Sequence, residues 1–210
     1  MKILVLVSGN GSNLQALIDA ERSGLFKANN EKNNASNSSK NRIAVVVSDR
    51  PGVYALERAV SAGIPALIKE ADKRLPKEER RAELSDRLLA VAREYNVGLI
   101  ILAGYLSILQ GKILKEYEGR IINIHPSLLP KYGGPGMYGS AVHEAVLAAG
   151  DTESGCTIHL VDTGTDTGPV LLQRKVPVLK GDTAESLADR IHKEEHLAIV
   201  EAAKIMLNGF

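Results

Sequence analysis

Cysteine occurs once in these 210 residues, as Cys156. A single thiol excludes an intramolecular disulfide and fits a reducing compartment. No apolar run approaches the ~20 residues needed to cross a bilayer, so no membrane partner is expected. Met1-Lys2 leads straight into a strand-like run with no long apolar segment and cleavage site. No signal peptide is therefore expected, and the expected location is cytoplasmic. Charge of one sign is not in excess: 26 Lys and Arg face 25 Asp and Glu, a formal net charge of +1. That balance supplies no global field toward nucleic acid. Metal-ligand spacing is missing too. His125, His143, His159 and Glu195 form no His-Glu-x-x-His or paired Cys/His pattern, so no metal is expected.

What is present is a chain long enough for one sizeable core, with 44% hydrophobic residues. Apolar runs at Lys2–Val7, Ile43–Val47, Pro65–Ile68 and Val97–Ala103 read as buried strands. Periodic segments at Leu14–Ser23, to about Ala62, at 76–95 and at Thr183–Leu207 read as helices. Their alternation predicts a single α/β domain over 1–210, Rossmann-like, with a mostly parallel sheet flanked by helices. Thr157–Val161 and Val170–Val178 predict an antiparallel strand pair near the C-terminus. Residues 27–42, rich in Asn, Lys and Ser, read as a polar surface insertion. A helix is expected from His143 to Ala149. The preceding Lys131–Gly139 segment carries four glycines in nine residues, which suits a mobile lid.

The stretch with most chemical content is Asn123-Ile124-His125-Pro126-Ser127-Leu128-Leu129-Pro130. Side chains alternate along a strand, so Asn123 and His125 share one face and Ile122 and Ile124 the other. Pro126 has no N–H for a sheet ladder and should end the strand at His125. An amide and an imidazole are then delivered at the C-terminal edge of the sheet, where open α/β sheets bind ligands. At the first strand's end, Ser8-Gly9-Asn10-Gly11-Ser12-Asn13 leads into a helix. Backbone N–H groups and a helix N-terminus at one point make an anion site; Ser12 or Asn13 capping the helix is the plainer explanation. Gly9-x-Gly11-x-x-Leu14 lacks the third glycine of the dinucleotide fingerprint, so one phosphate fits better than a pyrophosphate. Asp162–Pro169 reads as a turn presenting Asp162 and Asp166. Glu195 falls in the apolar stripe of the last helix, where a carboxylate needs a partner or a ligand hydroxyl.

Ser8–Asn13, the His-Pro-Ser-Leu-Leu-Pro block and Asp166-x-Gly168-Pro169, in that order, resemble the glycinamide ribonucleotide formyltransferases of purine synthesis. The resemblance covers the chain apart from 27–42. It implies two small-molecule substrates, glycinamide ribonucleotide and 10-formyltetrahydrofolate as co-substrate, and a monomer or homodimer. It implies Asn123, His125 and Asp166 as the catalytic set. Gly11, Ser12 and Asn13 would take the phosphate, with His192, Lys193, Glu194 and Glu195 near the nucleotide. Arg81, Leu106, Ser107, Ile108 and Leu109, together with Asn123 and the Asp162, Thr163, Gly164, Thr165 and Asp166 loop, would line the folate site. The His-Pro-Ser-Leu-Leu-Pro block is shared with other users of 10-formyltetrahydrofolate. Another such formyltransferase, or a formyltetrahydrofolate hydrolase, is therefore the alternative. Those relatives carry an extra domain at one end, which a chain spanning Met1 to Phe210 would lack. Chemically, Asn123 and His125 would donate to a tetrahedral oxyanion, and Asp166 would raise the His125 pKa.

Overall fold

The computed structural model describes residues 1–26 and 41–209. The elements in chain order are β1 (Lys2–Val7), α1 (Ser12–Arg22), β2 (Arg42–Ser48), α2 (Tyr54–Ser61), β3 (Ala66–Ile68), α3 (Lys77–Glu94), β4 (Leu99–Leu102), α4 (Lys112–Glu116), β5 (Ile121–His125), α5 (Ser140–Ala148), β6 (Glu153–Leu160), β7 (Val170–Pro177) and α6 (Ala184–Asn208). Among the described residues the strands form one sheet in the order β3-β2-β1-β4-β5-β6-β7. The first five in that order run parallel, and β6 is antiparallel to both β5 and β7. The expected mixed α/β sheet is what forms. Among the described residues, no helix is long and apolar enough to cross a membrane.

β1 lies inside the sheet between β2 and β4, and its composition follows from that place. Ile3, Val5 and Val7 pack on one face with α1, α2, α5 and α6, while Leu4 and Leu6 pack on the other with α3 and α4. A strand covered on both faces has no solvent side, so it carries no polar alternation. The strand order reverses between β1 and β4, whose following loops therefore splay apart. That gap is the usual ligand crevice of a doubly wound sheet.

Several boundaries differ from expectation. α5 starts at Ser140, three residues before His143, and β6 starts at Glu153 rather than Thr157. Small residues Ser154, Gly155 and Cys156 pair with β7 there despite their weak strand signal. The short α4 had no periodic signal to reveal it. Most of the 27–42 tract lies outside the described residues. Its last two residues belong to the fold: Arg42 opens β2, and the Asn41 side chain donates to the Phe26 carbonyl at 2.8 Å.

Candidate active site

A cleft of about 1000 Å³ opens along the C-terminal edge of the sheet, over the gap between β1 and β4. Its lining comes from the turn after β1, the end of β5 and the segment after β4, and the first and last of these meet where Leu106 N–H donates to Ser8 Oγ at 2.9 Å. Such a volume suits two small molecules end to end.

After β1, α1 begins without a side-chain cap. Gly11 holds the N-cap position with φ 78°, and Ser12 and Asn13 are already helical. The expected Ser12 or Asn13 cap does not form, because a left-handed glycine starts the helix one residue earlier. The first-turn N–H groups thus lack an intrahelical or capping partner and face the cleft, which is the condition for an anion. The Asn13 side chain donates to Glu195 Oε2 at 3.1 Å, and its own Oδ1 is buried with no partner. Glu195 is 5% exposed, and burial raises its carboxyl pKa against the opposing pull of Asn13 and His192.

β5 ends at His125 as Pro126 requires. Asn123 and His125 both line the cleft, while Ile122 and Ile124 enter the core on the α6 side. The turn that follows is braced from below by a buried hydroxyl network. Thr157 Oγ1 donates to the Ser127 carbonyl at 2.6 Å and accepts from Leu129 N–H at 3.0 Å and from Gln173 Nε2 at 2.9 Å. Ser127, fully buried, donates to the Lys131 carbonyl at 2.6 Å. This bracing explains the serine in the motif, a role the sequence did not reveal.

His125 Nε2 lies 2.7 Å from the Tyr132 carbonyl, so that nitrogen carries the proton and donates. Nδ1 is left facing Asp166 Oδ2 at 3.5 Å. Asp166 adopts φ 58°, a left-handed conformation that Asp tolerates better than most residues. Its Oδ2 also accepts from Gly134 N–H at 2.9 Å, and Oδ1 lies 3.6 Å from His159 Nε2. Burial works to raise the Asp166 carboxyl, but His159, Gly134 and His125 outweigh it and hold it below the usual range. For His125 the predicted pull of Asp166 is present, and burial outweighs it. Burial lowers its pKa below the ordinary imidazole value; Asp166 and the Tyr132 carbonyl pull upward without cancelling that loss. Asp166 does push in the expected direction. What the sequence concealed is how dry the imidazole is, at 4% exposure.

His159 pairs with Asn123 across β5 and β6. Its Nδ1 lies 2.9 Å from the Leu160 carbonyl and so donates, which makes Nε2 the acceptor of the Asn123 amide at 3.0 Å. One Asn123 N–H is fixed in this way, and the other is free for a ligand. Finding this pair from sequence needs the register of two strands 36 residues apart.

The structure brings Gly11, Ser12, Asn13, Arg81, Leu106, Ser107, Ile108, Leu109, Asn123, His125, Gly164, Thr165, Asp166, His192 and Glu195 to one cleft. It does not bring Lys193, Glu194, Asp162 or Thr163 there. Lys193 is exposed outside the cleft, one position along the helix from His192. Glu194 pairs with Arg174 at 3.2 Å. Asp162 accepts from Gly164 N–H at 3.0 Å and Thr167 Oγ1 at 2.7 Å, so it shapes the turn, and Thr163 lies at the turn's outer side. The Ser107 hydroxyl is committed to Asp49 at 2.7 Å. Residues missed from sequence include Lys77, Arg80 and His143, all lining the cleft; Met137 and Tyr138 of the glycine-rich segment line it as well. Among the described residues, no group of three or more His, Cys, Asp or Glu is placed to hold a metal.

His143 gives a pH prediction. It is 4% exposed, and its Nδ1 is buried without a partner. Burial first, then His192 and His125, lower its pKa. A depressed histidine stabilises the fold fully above the unfolded value of ~6.5 and loses that contribution as pH falls through its folded pKa. The drop in Tm from pH 7 to pH 5, read by calorimetry, is therefore expected to be smaller in His143→Asn than in the unmodified protein. An equal or larger drop contradicts the assignment.

Residues 1–203 match the profile of the formyl transferase family. The chain is 43% identical over 208 residues to the trifunctional purine biosynthetic protein adenosine-3 of Drosophila melanogaster, covering 99% of this chain and 14% of that protein. It is 39% identical over 205 residues to the chloroplastic phosphoribosylglycinamide formyltransferase of Vigna unguiculata, covering 98% of this chain and 60% of that one. The chain thus spans a small part of the fly protein and somewhat over half of the plant one. Among solved structures, it superposes on glycinamide ribonucleotide transformylase 1 from Symbiobacterium toebii with a TM-score of 0.85 at 39% identity, covering 100% of this chain and 88% of that one.

Proposed function

Since the chain belongs to the formyl transferase family, we propose that it moves the formyl group of 10-formyltetrahydrofolate to the primary amine of glycinamide ribonucleotide. The observation that carries this reading is one cleft lined by two groups of residues with different chemistry. An uncapped helix start beside buried Glu195 receives a phosphoribosyl group, and Asn123, His125 and Asp166 stand where an acyl carbon would react. The names of the similar plant and Symbiobacterium proteins support the same acceptor.

In this reading the ribonucleotide phosphate meets the N–H groups of Ser12 and Asn13, and Glu195 takes ribose hydroxyls. The segment after β4, with Leu106, Ile108 and Leu109, walls the flat folate ring. Arg81, beside Lys77 and Arg80 in the cleft lining, suits the carboxylates of its tail. The substrate amine attacks the formyl carbon; a C–N bond forms, and the carbonyl electrons move onto oxygen. The free Asn123 N–H and a protonated His125 Nδ1 donate to that oxyanion. The oxyanion also supplies the negative charge that a dry imidazole needs in order to hold its second proton beside Asp166. As the tetrahedral carbon collapses, N10 of the folate leaves with a proton from His125, and the new amide nitrogen loses one through water. No covalent enzyme intermediate is needed, because the nucleophile is the substrate's own amine. The partners are these two small molecules, in the cytoplasm, with no part for nucleic acid or membrane.

Mass spectrometry of the ribonucleotide after incubation with the formyl donor is the test. The expected product is glycinamide ribonucleotide formylated at its amine. Formate with unchanged ribonucleotide would assign the chain to hydrolysis instead.

A further inference from the structure

Arg58 takes no part in the chemistry above, yet its guanidinium is tied to the anion-receiving turn. Nε donates to the Asn10 carbonyl at 3.0 Å, Nη2 to Asn10 Oδ1 at 3.0 Å, and Nη1 to Gln15 Oε1 at 3.1 Å. The guanidinium also lies over the Tyr54 ring, 4.6 Å from its centroid. Tyr54 and Arg58 are one helical turn apart on α2, so this stack holds the side chain in reach of the turn before any ligand arrives.

The backbone of α2 docks on the same place. Ala55 N–H donates to the Gly9 carbonyl at 3.2 Å. A Cβ on Gly11 would stand 2.6 Å from Ala55 Cβ, so helix and turn are already in contact there. The turn itself has little of its own to fix it. Gly9 and Gly11 flank Asn10, glycine loses the most conformational freedom on ordering, and α1 has no side-chain cap. The planar, pre-arranged fork of arginine supplies that restraint, holding the main chain and side chain of Asn10 at once.

We propose that Arg58 is the positioning residue of the anion-receiving turn. It holds Asn10 so that the free N–H groups at the start of α1 are set for a phosphate, and it acts through substrate affinity rather than through the acyl step. This rests on the reading that the turn takes the ribonucleotide phosphate. Arg58 lies outside the cleft lining and donates to Asn10 of the turn and Gln15 of α1, so the donor should not sense it.

Steady-state kinetics of Arg58→Met and Arg58→Lys test this, each substrate being varied at saturation of the other. For Arg58→Met, KM for the ribonucleotide is expected to rise about tenfold with kcat within about twofold, and KM for the folate to stay unchanged. Arg58→Lys keeps the charge but not the fork and recovers only part of the affinity. Full recovery by lysine would assign the effect to charge and overturn the positioning role. So would an unchanged KM, or a fall of kcat that follows a lowered Tm. Calorimetric titration of inorganic phosphate separates this inference from the functional reading beneath it. Weaker phosphate binding to Arg58→Met than to the unmodified protein supports Arg58 even if no formyl group is transferred; equal binding overturns it.

Discussion

Alanine at His125 is expected to lower kcat by about 10³-fold, with the fold intact. Two functions disappear at once. Loss of one oxyanion donor typically costs on the order of 10²–10³, and loss of a positioned general acid about 10²–10⁴. The two are not additive, because one imidazole serves both in a single transition state. The fold should survive, because His125 ends β5 and contributes one side-chain bond, to the Tyr132 carbonyl. His125→Gln controls for that bond, since its amide can still donate to Tyr132 but cannot carry a second proton. The control is expected to be nearly as inactive as alanine. Asn123→Ala should lose about 10²–10³, the donor contribution alone. Near-normal turnover by a folded His125→Ala would remove the acid and the oxyanion role together.

Asparagine at Asp166 is expected to change where on the pH scale the enzyme works. The side chain keeps its size, and its oxygen still accepts from Gly134 N–H. What goes is the negative charge 3.5 Å from His125 Nδ1. Burial already lowers the His125 pKa, and Asp166 is the largest opposing influence. An opposite charge at such range favours the charged form by about one to three pKa units. Activity that needs protonated His125 falls as pH rises through its pKa. The variant should lose activity at a lower pH, with the alkaline limb of kcat displaced downward. Above both limbs the displacement becomes a loss in rate. An unmoved limb with normal turnover would leave Asp166 as a support for Gly134 and nothing more.

The parts of this site that could be read in the chain are those fixed by local chemistry. Pro126 ends β5 because it lacks an N–H, and strand alternation then puts Asn123 and His125 on one face. The run of Lys2–Val7 shows a doubly covered strand, and the glycines before Leu14 show a turn into a helix. Glu195 stood out as a carboxylate in an apolar stripe, and it is indeed buried against Asn13. What could not be read depends on which strands become neighbours. The partnership of Asn123 with His159, and of the 126–131 turn with Thr157 and Gln173, exists only once β5, β6 and β7 are in register. Burial is equally non-local. Asp166 pulls the His125 pKa upward as expected, but the burial that outweighs it could not be read from the chain. The resemblance carried Asp162 and Glu194 into the site along with Asp166 and Glu195. One shapes a turn and the other pairs with Arg174, because adjacent residues on a tight turn or a helix point different ways.

The central claim is that Asn123, His125 and Asp166 act on a formyl group only when an amine acceptor occupies the end of the cleft marked by Ser12, Asn13 and Glu195. The most direct measurement is the absorbance change on release of tetrahydrofolate from 10-formyltetrahydrofolate, followed with and without glycinamide ribonucleotide. Release that depends on the ribonucleotide and saturates with it is the predicted result. Release at the same rate without it would contradict the account.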